Sequence, residues 1–421
     1  MYKLISYSNL LKKTLLIQHK NLYNIQKLNS CLCGQIYMRH QSHRLEINRV
    51  HSTGSDQLKQ RIVIETATTP KTVYDDDLTE KVLPVDSTVA EPSFWKDKID
   101  PYVNLARWDR PTGVYLLYWP CAWSIVLGSI PGNVPIHVTL HTAALFLVGA
   151  GLMRGAGCTI NDLWDKDVDS KVERTKNRPL VTGAITHTEA IMFLAGQLSL
   201  ALAVLMQLNC YSVVLGASSM LLVVTYPLAK RFTNYPQLFL GATFTWGALL
   251  GYSAIQGHID LSVCGPLYAG ALAWTVLYDT IYAHQDKQDD CRVGIKSTAL
   301  SFGNYTRPAL YTTLATSVLC FAEAGRAADL GIAYNVALFS YAAHAIRQIY
   351  TLDTENPDDC ASKFKSNSAC GLIILLGILG GGLAKYSENK RNNFEQHASS
   401  SSVYASKQEK RVPALSIRNC F

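Results

Sequence analysis

The sequence predicts an all-α integral membrane protein with about nine transmembrane helices. Three observations carry this. Charged residues make up only 17% of the 421-residue chain, against about 25% in soluble proteins. Hydrophobic residues are 48% of the total and gather between residues 111 and 386 into blocks parted by short polar stretches. Each block approaches the ~20 apolar residues needed to cross a hydrocarbon core of about 30 Å.

Residues 1–45 come first. They contain Lys3, Lys12, Lys13, Lys20, Lys27, Arg39 and Arg44 and no Asp or Glu before Glu46. This basic, acid-free pattern, with Leu and Ile interspersed, predicts a mitochondrial transit peptide. Residues 46–100 are polar, with Ser, Thr and Pro punctuation and the triplet Asp75-Asp76-Asp77. They read as a flexible linker, at whose end Phe94 and Trp95 open an interfacial helix. The transmembrane domain follows over residues 101–386, its apolar blocks at 113–130, 137–157, 187–207, 210–229, 237–255, 262–283, 308–325, 329–348 and 368–386. Residues 387–421, polar and with a serine run at Ser399 to Ser402, read as a disordered tail.

Charge and cysteine usage exclude other classes. The net charge of +7 is modest and forms no basic stripe interleaved with aromatics, so nucleic acid is not an expected partner. Of the 11 cysteines only Cys31 and Cys33 are close in sequence. No pair has zinc-site spacing.

Nine spans place the loops after even-numbered helices on one side. Those loops and helix ends hold 14 cations: Lys166, Lys171, Arg174, Lys176, Arg178, Lys230, Arg231, Lys287, Arg292, Lys296, Arg307, Arg347, Lys363 and Lys365. The opposite short loops hold only Arg326. By the positive-inside rule the rich side faces the matrix of an inner mitochondrial membrane.

The same loops carry two acidic motifs. Asn161, Asp165 and Asp169 recur every four residues at the end of the second block and share one helical face. Asp162 sits beside Asp165, and Arg154, seven residues before Asn161, falls on this face too. In the second motif Asp279, Asp286 and Asp290 fall on one face of a continuous helix. Facing carboxylates repel unless a cation lies between them, and Mg²⁺ suits one or two carboxylates together with substrate phosphates. Two such clusters predict a site for a diphosphate held through Mg²⁺. Arg178, Lys230, Arg231 and Lys296 are candidate phosphate partners on the same side.

The segments Gly157 to Asp169 and Val172 to Leu180 resemble the first motif of the UbiA-type intramembrane prenyltransferases, and Asp279 to Asp290 resembles their second. Arg107-Trp108-Asp109-Arg110-Pro111-Thr112-Gly113, Thr225 to Arg231, Tyr278 to Ala283 and Gly294 to Ala299 are similar to the branch acting on 4-hydroxybenzoate in ubiquinone synthesis. The resemblance spans about residues 95–386. It implies nine helices around a central cavity, Mg²⁺ dependence, and transfer of a polyprenyl group from its diphosphate to the ring carbon ortho to the acceptor hydroxyl. It further implies that Asn161, Asp165 and Asp169 serve one metal and Asp286 and Asp290 the other. Asp279 would position or deprotonate the acceptor, and Arg107 and Arg231 would engage the diphosphate or the acceptor carboxylate. Tyr118, Trp119, Tyr226 and Tyr282 offer aromatic faces to an allylic cation. The rival readings are a haem farnesyltransferase of the same superfamily and a membrane transporter with an acidic site. The Arg-Trp-Asp-Arg-Pro segment argues against the first. Against the second, the acids cluster at one surface and leave the helix centres largely uncharged.

Overall fold

The computed structural model describes residues 94–131 and 134–409. The expected transit peptide and most of the linker lie outside them. Among the described residues all regular structure is helical. The helices are α1 (Phe94–Ala106), α2 (Thr112–Ser129), α3 (Ile136–Asp169), the short α4 (Pro179–Thr182), α5 (His187–Leu205), α6 (Cys210–Phe232), α7 (Pro236–Phe244), α8 (Gly247–Gln256), α9 (Leu261–Ala283), α10 (Lys287–Val293), α11 (Thr298–Phe302), α12 (Thr306–Ala327), α13 (Gly331–Tyr350) and α14 (Pro357–Glu409).

Local chemistry sets several boundaries. α5 opens on a capping box in which the Thr186 hydroxyl accepts from the Glu189 N–H and Glu189 accepts from the Thr186 N–H, satisfying two helix-end donors at once. Asn209 and Asp260 cap α6 and α9 by accepting from Ser212 and Ser262. α10 stops at Gly294, whose φ of 77° is open to glycine at little cost.

Each apolar block corresponds to a helix or, for α7–α8, a helix pair. Six of the described segments are long and apolar enough to cross a membrane: Ile136–Asp169, His187–Leu205, Cys210–Phe232, Pro236–Gln256, Leu261–Val293 and Pro357–Asn392. The blocks in α2, α12 and α13 form helices of 18, 22 and 20 residues. Tyr, Trp and Pro in α2, Arg307, Glu323 and Arg326 in α12, and Asn335, His344, Arg347 and Gln348 in α13 lower their hydropathy. α3 has 34 residues and so is about 50 Å long at ~1.5 Å per residue. That exceeds the hydrocarbon thickness, so its acidic C-terminal turns project past it.

The packing is uneven around the bundle. The most apolar stretch of α9 is 61% buried against protein, while those of α3 and α5 are only 11% buried. An apolar helix with so little protein cover is stable where lipid is the solvent. The main core gathers residues of α2, α8, α9, α12, α13 and α14 around Trp123, Trp274, Phe321 and Tyr341. Trp123 stacks obliquely on Trp274 at 5.3 Å and edge-on to Phe321 at 5.4 Å.

Connections alternate between two ends. At one end the segments after α3, α6, α9 and α13 meet: Arg174 reaches Asp286, Lys230 reaches Asp165, and Lys287 lies 3.8 Å from Glu355. At the other end Asn209 donates to the Ser253 carbonyl at 2.8 Å, and Lys385 lies 3.3 Å from Asp329. This arrangement agrees with the loop parity read from the sequence.

The cavity is bounded by α2, α3, α5, α6, α7 and α8. Two expectations need adjustment. The second acidic motif is not one continuous helix, because a 3-10 turn at His284–Asp286 separates α9 from α10. The chain from 387 to 409 continues α14 in place of an irregular tail, in keeping with its many good helix formers (Glu, Lys, Arg, Gln and Ala).

Candidate active site

The first acidic cluster forms where α3 emerges from the bundle. Asp162, Asp165 and Asp169 are 1%, 0% and 5% exposed. Buried carboxylates at this density require cations, and four come from other parts of the chain. Arg107 Nη2 donates to both oxygens of Asp162 at 2.8 Å. Arg178 Nη1 donates to Asp162 at 2.9 Å and also to Asp169. Lys230 pairs with Asp165. Arg231 Nη2 donates to the Trp164 carbonyl at 2.8 Å and lies 3.6 Å from Asp165 Oδ1.

Arg107 reaches this cluster by an unusual backbone. It follows α1 with a φ of 59°, a left-handed conformation uncommon outside glycine. Its Nη1 donates to the Asn104 and Leu105 carbonyls, each at 2.9 Å, so one side chain caps α1 and grips Asp162. Burial opposes the charge of this guanidinium, but Asp162 and Cys158 together more than offset it and raise the pKa above the ordinary arginine value.

The 3-10 turn divides the second set of acids. Asp286 receives two bonds from Arg174, Nε at 2.7 Å and Nη2 at 2.5 Å. Asp290 has Asp286, Lys230, Arg174 and Asp289 as electrostatic neighbours. Asp279 lies deeper, beside Arg154 and Gln237. The structure therefore brings Asp286 and Asp290 together and sets Asp279 apart.

An apolar cavity of about 380 Å³ opens between α2, α3, α5, α6, α7 and α8. Its wall is mostly aliphatic, with Leu145, Met153, Leu202 and Met220 among the lining residues, and Arg154 and Tyr226 also line it. The Tyr226 hydroxyl donates to the Gly157 carbonyl at 3.2 Å, one turn of α3 before Asn161. Arg154 is the unusual member. Its Nε is buried without a hydrogen-bond partner, and its guanidinium lies over the Phe244 ring at 5.5 Å. Gly113 makes room for it, since a Cβ there would stand 2.4 Å from Arg154 Nε. Lys296 joins the cluster through its backbone, which donates to the Lys230 carbonyl at 3.2 Å.

Two important residues escaped the sequence reading as site residues. Asp162 organises Arg107 and Arg178; its seven-residue spacing from Asp169 was the available signal, because that spacing returns to the same helical face. Arg174 lay among the loop cations, and nothing in the local sequence marks its partner 112 residues away.

The oxygen-rich donor set suits a hard divalent cation. Among the described residues no three carboxylate, imidazole or thiol groups form a ready metal cage. Magnesium does not require one, because substrate phosphates and water complete its shell. Asp165 Oδ1 is buried without a hydrogen bond, a spare acceptor of the kind a cation would use. Asn161, Asp165 and Asp169 on one side and Asp286 and Asp290 on the other therefore fit Mg²⁺.

Comparison with known proteins agrees with this geometry. The sequence profile of the UbiA prenyltransferase family matches residues 117–373. The mitochondrial 4-hydroxybenzoate polyprenyltransferase of Drosophila melanogaster is 52% identical over 315 residues, covering 75% of this chain and 78% of that protein. The Homo sapiens protein of the same name is 53% identical over 287 residues, covering 68% of this chain and 76% of its own. The apo structure of a UbiA homolog from Aeropyrum pernix aligns with a TM-score of 0.54 at 27% identity, covering 63% of this chain and 96% of that one. A UbiA homolog from Archaeoglobus fulgidus, solved with GPP and Mg²⁺, shares the fold with a TM-score of 0.52 at 23% identity, covering 68% of this chain and 99% of its own.

Proposed function

We propose that this chain, which belongs to the UbiA prenyltransferase family, transfers a polyprenyl group from polyprenyl diphosphate to the ring carbon ortho to the hydroxyl of 4-hydroxybenzoate, releasing diphosphate in the pathway to ubiquinone. One observation carries the reading: two acidic clusters from distant segments meet among cations one turn from the polar end of an apolar cavity. Anion, metal and hydrocarbon chemistry thus have adjoining places.

Each group has a role that follows from where it stands. The cavity takes the proximal isoprene units, and the rest of the tail stays in lipid. Arg178, Lys230, Arg231 and Lys296 offer charge to the diphosphate. Arg107 keeps Asp162 and Arg178 in place. Asn161, Asp165, Asp169, Asp286 and Asp290 would hold Mg²⁺. When bound, that ion neutralises the developing charge of the leaving group. Arg154, with an unpartnered Nε at the cavity wall, pairs with the carboxylate of the aromatic acid. Asp279 beside it positions the acceptor hydroxyl or takes its proton. As the allylic C–O bond breaks, Tyr226 and Tyr282 present π-faces toward the cationic carbon. The electron-rich ring carbon then attacks, and loss of the ring proton restores aromaticity.

The setting follows from the same reading. The acid-free N-terminal segment and relatives named mitochondrial support a location in the inner mitochondrial membrane, and the loop charge supports an acidic end facing the matrix. Membranes carrying the protein, given Mg²⁺, labelled 4-hydroxybenzoate and a long polyprenyl diphosphate, should yield a C-prenylated acid. Activity on haem with none on the aromatic acid would overturn the acceptor. Asp165→Ala and Asp286→Ala should each abolish turnover while leaving the protein in the membrane.

A further inference from the structure

Arg174 lies in the segment between α3 and α4, and its guanidinium is wholly engaged by the second acidic motif. Nε and Nη2 take both oxygens of Asp286 at 2.7 and 2.5 Å. Nη1 donates to the Tyr282 hydroxyl at 3.1 Å, and the guanidinium carbon stands 5.4 Å from the centre of that ring. The neighbouring Glu173 N–H reaches Asp289 Oδ2 at 3.4 Å. Arg174 stands five residues after Asp169 of the first cluster, so the segment that follows one acidic set pairs with the other.

This arrangement has a cost for any metal. A bidentate guanidinium takes a lone pair on each oxygen of Asp286 and neutralises its charge, and its own charge repels a second cation nearby. An arginine guanidinium keeps its charge throughout the pH range of proteins, so deprotonation offers no release. The guanidinium must move, and it is able to: Arg174 is 36% exposed and Asp286 15% exposed.

We propose that Arg174 exchanges partners: it yields Asp286 to the divalent cation and takes the diphosphate in its place. This rests on the reading of Asp286 as a metal ligand. A cation arriving alone has to break the Arg174–Asp286 pair without replacement. A cation arriving with diphosphate supplies the guanidinium with a new bidentate anion. Arg174 therefore couples metal and diphosphate binding and keeps the second cluster closed to metal alone.

The test uses the full chain in detergent, Mn²⁺ as the probe ion and inorganic diphosphate as the anion, with bound Mn²⁺ read by electron paramagnetic resonance. In the wild type, diphosphate should tighten Mn²⁺ binding on the order of tenfold, within the usual range for coupled sites. Arg174→Gln should bind Mn²⁺ alone more tightly than the wild type and lose most of the enhancement. Arg174→Lys, which keeps the charge but not the fork, should fall between them and guards against a glutamine variant that does not fold. Arg174→Gln with both affinities as in the wild type, while Asp286→Asn loses Mn²⁺, overturns the exchange and leaves the metal reading standing. Asp286→Asn with undiminished Mn²⁺ binding overturns both.

Discussion

Asp162 shows how much of this site depends on a residue that need not touch substrate. Its carboxylate, 1% exposed, is shared by Arg107 and Arg178, and removing one member of a buried charged set leaves the others uncompensated. Asp162→Ala should lower stability by about 3 kcal/mol, as is usual for breaking a buried ion pair, read by thermal unfolding in detergent. Asp162→Asn keeps the shape and should instead raise KM for the diphosphate, because Arg178 loses one of its two anchors. Gly113 offers a contrasting test. A methyl group at Gly113→Ala would displace Arg154, so KM for the aromatic acid should rise while KM for the diphosphate stays near the wild-type value. At this scale the cations and carboxylates were legible because side-chain chemistry is local. Their pairing was not, since Arg107 and Asp162 are separated by 55 residues and only the folded bundle decides which charges meet.

Elements were more legible than pairs, for a reason particular to membranes. Every backbone donor inside lipid must be satisfied within its own helix, so a long apolar block has little choice of structure. α3 kept its one-faced acidic motif as the sequence predicts. The second motif did not: after α9 comes a 3-10 turn in which His284 Nδ1 bonds the Thr280 carbonyl of α9 at 2.8 Å while its Nε2 faces a tertiary partner, the Thr306 hydroxyl, at 3.4 Å. Close helix contact was also hidden in the sequence. Gly371 of α14 sits on the Trp119 ring of α2, where a Cβ would come within 2.0 Å of Trp119 Cδ1. Gly371→Ala should therefore cost about 1–3 kcal/mol through overpacking and lower the unfolding temperature. A small residue here follows the general use of glycine at close helix crossings in membranes.

Across the described residues the main core and the cavity draw on different helices and share α2 and α8. The largest buried cluster is built from α2, α8, α9, α12, α13 and α14 and, among the described residues, takes none from α3, α5 or α6, while the cavity is bounded by α2, α3, α5, α6, α7 and α8. Ala201 lines that cavity. Ala201→Phe should reduce turnover of long polyprenyl donors more than that of a short one, as shown by the chain length of the products. Loop parity had indicated which ends gather at the site, but no periodicity reports an empty volume, so the cavity's lining was invisible before the fold. The ion pairs that fill both acidic clusters carry one more consequence. Because Asp162, Asp165, Asp169 and Asp286 already have basic partners within the chain, folding does not depend on metal, unlike small metal-dependent domains that unfold when stripped. A chelator should thus act as a reversible off-switch: turnover ceases, the melting temperature falls only by what the loss of a bound ligand costs, and returning Mg²⁺ restores the activity without refolding.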